Sequence, residues 1–141
     1  MLRLCVGTAL LAGLVAVPLS GYAQGTDIGK QEYLSKCAAC HGRDAKGDGP
    51  VAASLKQKVP DLTVLAKSNG GVFPFARTYD VIDGREAVAV HGPRDMPVWG
   101  TDYWEQGAGL LRENTTPEEL NSFARGRIIA LIGYVSTLQS K

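Results

Sequence analysis

Cysteine, histidine and methionine are scarce in this 141-residue sequence, which holds three, two and two of them. A structural zinc site needs four ligands, usually as two separated pairs. Beyond the pair Cys37 and Cys40, the sequence offers only Cys5 as a third thiol, so a zinc ribbon is excluded. Strand-like alternation is also lacking, and a thioredoxin-like C-x-x-C motif needs a βαβ context. The cysteine pair therefore requires another explanation.

Charge imbalance and long apolar runs are absent as well. Fifteen lysines and arginines stand against 14 aspartates and glutamates. Without a basic patch, the sequence predicts no nucleic-acid partner. Apart from the amino-terminal segment, no stretch approaches the ~20 apolar residues that a membrane-spanning helix needs. We therefore expect one small domain with no membrane span in the mature chain.

The amino-terminal segment has the pattern of a secretory signal peptide. A short basic region with Arg3 precedes the uncharged apolar run from Leu4 to Val17, and Gly21-Tyr22-Ala23 has the small-x-small form of a cleavage site. The pattern predicts a cleaved signal over residues 1–23 and a mature domain over residues 24–141. An uncleaved anchor is the alternative, although the apolar run is short for a span.

The segment Cys37-Ala38-Ala39-Cys40-His41 has the haem-attachment pattern C-x-x-C-H. On one helical turn the two sulfurs face the same side, so each thiol can add across one vinyl group of a protohaem. His41 then lies under the iron and offers a ring nitrogen, and imidazole suits iron. The motif predicts one covalently bound haem c. An inert buried cysteine pair would leave His41 unexplained.

Helical patterns occupy most of the mature chain. Thr26 or Asp27 can cap a first helix over residues 28–37. Short helices are expected at residues 62–67 and 74–82, and residues 101–114 are expected to form a loop or a ragged helical turn. We assign the charged residues of the first helix to a solvated face: Lys30, Glu32 and Lys36.

The last helix has the clearest start signal in the sequence. Thr116, Pro117 and Glu119 provide an N-cap, a proline at the first helical position and the acid of a capping box. Gly126 lowers the stability of the helix by about 1 kcal/mol, so a kink or break at this position is an alternative to a continuous helix. An apolar stripe at helical spacing follows: Ile128, Leu131, Ile132, Val135 and Leu138.

A second iron ligand is predicted from the few residues that remain. After signal cleavage, Met96 is the last methionine and His91 the last other histidine. Met96 lies between Pro93 and Pro97, which stiffen the loop around it. A thioether favours ferrous iron and raises the potential. Met96 is therefore the predicted axial ligand opposite His41, and His91 is the alternative.

The order of these features resembles the class I cytochromes c, especially bacterial periplasmic monohaem members with a Met-Pro-x-Trp-Gly loop. The likeness rests on C-x-x-C-H at residues 37–41, the Pro-Asp-Leu-Thr segment at residues 60–63, Met96-Pro-Val-Trp-Gly and the closing amphipathic helix. It implies an all-α fold in which the amino- and carboxy-terminal helices cross. It also implies a periplasmic location.

The resemblance implies roles for further residues. Gly29 and Tyr33 match the small and aromatic positions of the first helix, and Tyr134 matches the aromatic of the last. Pro60 corresponds to the proline whose carbonyl accepts the inner N–H of the histidine ligand, with Pro50 as the weaker choice. Trp99 is expected to pack near the haem, where its N–H can reach a propionate.

The implied function is electron transfer between redox protein partners, by a protein that is not itself an enzyme. With six ligands on the iron, no position remains for a substrate. An obligate haem subunit of a periplasmic dehydrogenase or reductase is the alternative, so the chain is expected to be a monomer or an enzyme subunit. A gas-binding sensor would need an open iron site.

Overall fold

The computed structural model describes residues 23–86 and 96–140. These residues form helices and irregular segments without a strand, so the predicted all-α class is confirmed. The predicted signal peptide up to Tyr22, together with His91 and Pro93, lies outside the described residues. The helices are α1 (Ala23–Glu32), a π-helical turn (Tyr33–Cys37), α2 (Ala38–His41), 3₁₀ turns (Ala52–Ser54 and Leu62–Val64), α3 (Leu65–Ser68), α4 (Phe75–Asp83), α5 (Trp99–Leu110) and α6 (Pro117–Thr137).

The first helix is longer than predicted and carries a defect next to the cysteine motif. Because α1 begins at Ala23, Asp27 lies inside the helix and the predicted cap there is wrong. The chain passes through the π-helical turn, where the Ala38 N–H donates to the Tyr33 carbonyl, and continues directly into α2. Such turns insert one extra residue into a helix and are frequent at functional sites.

Two helices between the motif and residue 86 follow the predicted pattern. The Asp61 carboxylate accepts a 2.8 Å hydrogen bond from the Thr63 N–H and caps the turn that leads into α3. Helix α4 follows Pro74 and ends at Gly84, whose φ of +95° favours glycine.

Helix α5 is a regular twelve-residue helix where a loop or a ragged helical turn was expected over residues 101–114. It has three glycines in twelve residues, each of which disfavours an isolated helix. Tertiary packing stabilises it instead. Tyr103 is fully buried, and a Cβ at Gly107 would lie 3.0 Å from the Phe123 ring of α6. Gly107 therefore lowers the intrinsic helix propensity of α5 but also lets α5 approach α6 closely.

Helix α6 begins as predicted and is continuous through Gly126. The Thr116 hydroxyl accepts from the Glu119 N–H, and the Glu119 carboxylate accepts from the Thr116 N–H, which completes a capping box. The predicted apolar stripe faces the core. The largest fully buried side chains come from three elements: Tyr33, Tyr103, Ile128, Leu131 and Ile132.

The predicted crossing of the first and last helices is confirmed, and Gly29 is its closest point. A Cβ at Gly29 would lie 2.0 Å from the Ala130 carbonyl oxygen and 3.0 Å from the Tyr134 Cβ. The Tyr33 and Tyr134 rings pack beside it with centroids 5.5 Å apart. Since the obstructing atom belongs to the backbone of α6, a side chain at position 29 must separate the helices.

Gly29→Ala is therefore expected to destabilise the fold by about 3 kcal/mol, the upper end of the usual cost of overpacking. Gly29→Val should cost at least as much. Gly126→Ala is the matched control, because a Cβ there meets no atom within 4 Å and should stabilise α6 by about 1 kcal/mol. Thermal and urea unfolding of both variants measure the difference. Equal stability of Gly29→Ala and the wild type would contradict the crossing.

Candidate haem-binding site

One mostly apolar cleft contains every described residue that the sequence analysis assigned to the site. Its volume is about 950 Å³ when the open mouth is included. Position 37 enters from the π-helical turn, positions 40 and 41 from α2, and positions 96 and 99 from the segment that opens α5. The structure thus brings together six predicted residues: Cys37, Cys40, His41, Pro60, Met96 and Trp99.

Both cysteines line the cleft, and no disulfide joins them. Cys37 is buried, and this burial, with a smaller contribution from the Glu32 carboxylate, raises its pKa to about 12. Cys40 is half-buried. The thiol of Cys37 is therefore protonated at neutral pH.

His41 is buried at the end of α2, with its ring held by Pro60. Its Nδ1 lies 3.2 Å from the Pro60 carbonyl oxygen, so the tautomer protonated at Nδ1 donates to that carbonyl and leaves a lone pair on Nε2. Burial lowers the pKa of His41, although the bond to Pro60 opposes the shift. The imidazole is accordingly neutral and oriented, as a metal ligand requires.

The glycine-rich loop after the motif wraps around the end of α2. The Gly47 N–H donates to the His41 carbonyl at 2.8 Å, and the Gly49 N–H donates to the Cys40 carbonyl at 3.1 Å. A Cβ at Gly49 would lie 2.4 Å from the Ala39 carbonyl oxygen, so only glycine fits. Tyr33 adds a 2.6 Å hydrogen bond from its hydroxyl to the Gly42 carbonyl. These bonds fix the backbone that carries both cysteines and the histidine.

The carboxy-terminal tail holds the Pro60 side of the cleft. Gln139 Nε2 donates to the Leu62 carbonyl at 2.8 Å, and the Ser140 N–H donates to the Thr63 carbonyl at the same distance. The Ala66 N–H in turn donates to Gln139 Oε1. Residues 62–66, which follow the His41 partner Pro60, are therefore hydrogen-bonded to the last residues of the described chain.

Met96 and Trp99 line the cleft at the start of α5. Both are half-buried and pack against the core. Pro97 lines the cleft beside Met96, and α5 begins at Trp99. His91, the alternative ligand, lies outside the described residues. The proposed iron-ligand role of Met96 stays a prediction, and so does the contact between Trp99 and a propionate.

The sequence analysis missed a buried polar network next to the cysteines. Glu32 is 8% exposed, so its assignment to a solvated face is wrong. Its carboxylate accepts a 2.7 Å bond from the Arg127 guanidinium and a 3.0 Å bond from the Tyr103 hydroxyl. One carboxylate thus joins α1, α5 and α6. Because Arg127 is 95 residues away, no local pattern could have indicated the pair.

Tyr103→Phe is expected to cost about 1–3 kcal/mol, because it leaves a buried carboxylate oxygen of Glu32 without its donor. Tyr134→Phe is the matched control: in the described part of the chain its hydroxyl makes no hydrogen bond, and only its ring packs. Urea unfolding of the two variants gives the comparison. A smaller loss for Tyr103→Phe than for Tyr134→Phe would refute the role of this hydroxyl.

The donor set of the cleft suits a haem better than a bare metal ion. Two thiols three residues apart, a neutral imidazole, a thioether and apolar walls match the thioether bonds, axial ligands and macrocycle of haem c. Within residues 23–86 and 96–140, no group of three or more histidine, cysteine, aspartate or glutamate side chains could hold a metal ion. No helix in this part of the chain is both long and apolar enough to cross a membrane.

Comparison with known proteins adds one relationship. The chain is similar to the Cbb3-type cytochrome c oxidase subunit FixPc of Rhizobium leguminosarum bv. viciae, with 36% identity over 97 residues. The match covers 69% of this chain and 26% of that protein, so the chain spans about a quarter of the relative's length. No protein-family model matches the chain. No solved structure matches it either.

Proposed function

We propose that this protein is a class I c-type cytochrome that carries one electron between redox proteins. Cys37 and Cys40 would hold one haem c by thioether bonds, and His41 and Met96 would bind its iron. The convergence of these four residues on one apolar cleft carries the proposal. The similarity to a cytochrome c oxidase subunit supports a c-type cytochrome independently of the geometry.

The bound haem supplies the exchange between Fe(III) and Fe(II), and the chain's own residues control its surroundings. The Pro60 carbonyl orients the His41 ring and strengthens it as a donor. Apolar walls exclude water from the site. His41 and Met96 would both bind the iron and would leave no position for a substrate, so the proposed role is that of a carrier and not of an enzyme.

A second candidate function is that of a haem subunit in a larger redox enzyme. The relative is named as an oxidase subunit, which favours this assignment. Val98, which follows the cleft-lining Pro97, is 37% exposed, and Trp104 of α5 is 38% exposed. Both apolar side chains are therefore available for contact with another subunit. Gel filtration of the protein from its native source distinguishes the two: a free carrier elutes at the size of one chain, and a subunit elutes with its enzyme.

Redox titration of the purified haem-loaded protein tests the carrier function. The expected result is one reversible transition that follows a one-electron Nernst curve, with no CO binding to the reduced form at neutral pH. Rapid CO binding would instead indicate an open iron site and a gas-binding protein.

We further propose that the mature protein lies in the periplasm after cleavage of a signal peptide over residues 1–23. The intact mass of the exported protein is expected to equal a chain that starts at Gln24 plus one haem. The haem should also remain with the chain through denaturation and acid-acetone extraction. A mass that includes residues 1–23 would indicate an anchored protein.

A further inference from the structure

Lys36 is a largely shielded cation on the wall of the haem cleft. Its side chain is 15% exposed and lines the cleft next to both cysteines. Its Nζ lies 2.5 Å from Asp102 Oδ2, and 4.9 and 5.2 Å from the ring centroids of Trp99 and Tyr103. A carboxylate and two aromatic faces therefore hold this charge in one place.

The two members of the Lys36–Asp102 ion pair occupy different positions relative to the cleft. Asp102 is 41% exposed and is not among the residues that line the cleft, whereas Lys36 is. A second donor, Gln106 Nε2, lies 2.8 Å from the same carboxylate oxygen and fixes it on the outer side. The cationic residue of the pair therefore belongs to the cleft wall, whereas the anionic residue does not.

We propose that this ion pair tunes the reduction potential of the haem, with Lys36 raising it and Asp102 lowering it. The proposal rests on the function proposed above. When a redox partner reduces Fe(III) to Fe(II), the site loses one positive charge, so a nearby fixed cation favours the reduced form. Because Lys36 is shielded from water and the cleft walls are apolar, solvent screens its charge only weakly.

The other charged groups around the cleft do not replace Lys36 in this role. Glu32 is buried nearby, but Arg127 lies 2.7 Å from its carboxylate and balances its charge. Lys58 also lines the cleft, yet it is exposed, so water screens its charge. Lys58 is thus a natural comparison: a cation of the same type on the same cleft with a different degree of exposure.

Redox titration of three haem-loaded variants tests the proposal. Lys36→Gln is expected to lower the potential and Asp102→Asn to raise it, and Lys58→Gln should shift it less than Lys36→Gln does. The opposite signs are decisive. If the pair only holds α5 in place, both substitutions weaken the same contact and shift the potential in the same direction.

One further measurement and one further variant separate an electrostatic effect from a loss of structure. The far-red sulfur-to-iron absorption band, recorded for each variant, reports whether the thioether ligand is retained. The proposal is overturned if the potential shifts only when this band is lost, if the Lys36→Gln and Asp102→Asn shifts have the same sign, or if Lys36→Gln and Lys58→Gln shift the potential equally.

If Lys36→Gln does not fold, Lys36→Arg replaces it. Lys36→Arg should keep the wild-type potential while Asp102→Asn raises it, and any other pair of results refutes the proposal. Absence of covalent haem from the wild type would contradict the proposed function instead.

Discussion

Replacing Cys37 and Cys40 together by alanine is expected to give a largely unfolded chain that retains no haem. Both thiols line the cleft, and a mature domain of this size has a folding free energy of only about 5–15 kcal/mol. A covalently held group that fills the cleft stabilises the folded state alone. Without it, the apolar walls that lead from Cys37 to Met96 face a space that lacks packing partners.

Circular dichroism and haem content measured on the same samples check this result. The single variants Cys37→Ala and Cys40→Ala serve as controls, because each keeps one thiol and should retain part of the haem with intermediate stability. A double variant with wild-type helix content and no haem would show that the protein folds around an empty cleft, which would contradict the expectation. Haem that extracts freely from the wild type would contradict covalent attachment altogether.

Met96→Ala is expected to abolish the far-red sulfur-to-iron band of the ferric protein, to open the iron to CO and to lower the reduction potential. The potential should fall because thioether sulfur favours Fe(II) over Fe(III) more than water or a nitrogen ligand does. Met96 is half-buried on the cleft wall beside Pro97, in the same cleft as His41.

Met96→His is the companion variant. It should remain six-coordinate and exclude CO, yet it should also lower the potential, because imidazole replaces sulfur. Absorption spectra, CO titration and redox titration separate the two variants. If Met96→Ala keeps the wild-type spectrum and His91→Ala changes it, then His91 is the ligand and the carrier has a low-potential pair of histidines.

The residues with local signals were predicted well from the sequence. The motif at residues 37–41 and the capping box at Thr116 each depend on spacings of three or four residues, which one helical turn determines. The apolar stripe of α6 follows from helical periodicity in the same way. Within the site, the sequence analysis named the cysteines, the histidine and Met96, and the structure places all four in one cleft, while their roles stay predictions.

The errors come from contacts between distant segments. Helix α5 was expected to be a loop or a ragged helical turn, because Gly100, Gly107 and Gly109 lower its intrinsic helix propensity. The packing of Tyr103 and Gly107 that stabilises it involves distant residues, so no local pattern indicates it. Glu32 was assigned to solvent for the same reason. A carboxylate in a helix is usually exposed, and only the positions of Tyr103 and Arg127 show that this one is buried and paired.

The crossing of α1 and α6 has a consequence for the order of events during biosynthesis. Partners such as Glu32 and Arg127 are 95 residues apart, so closing this contact requires that nearly the whole domain has been made. Pairings between such distant segments form slowly, because a long loop must close before any contact is gained. Until α6 is in place, Gly29 lacks the helix that packs against it, and the core that surrounds Tyr33 is incomplete. The late arrival of the last helix would therefore leave a period in which the proposed haem attachment can occur before the domain is complete.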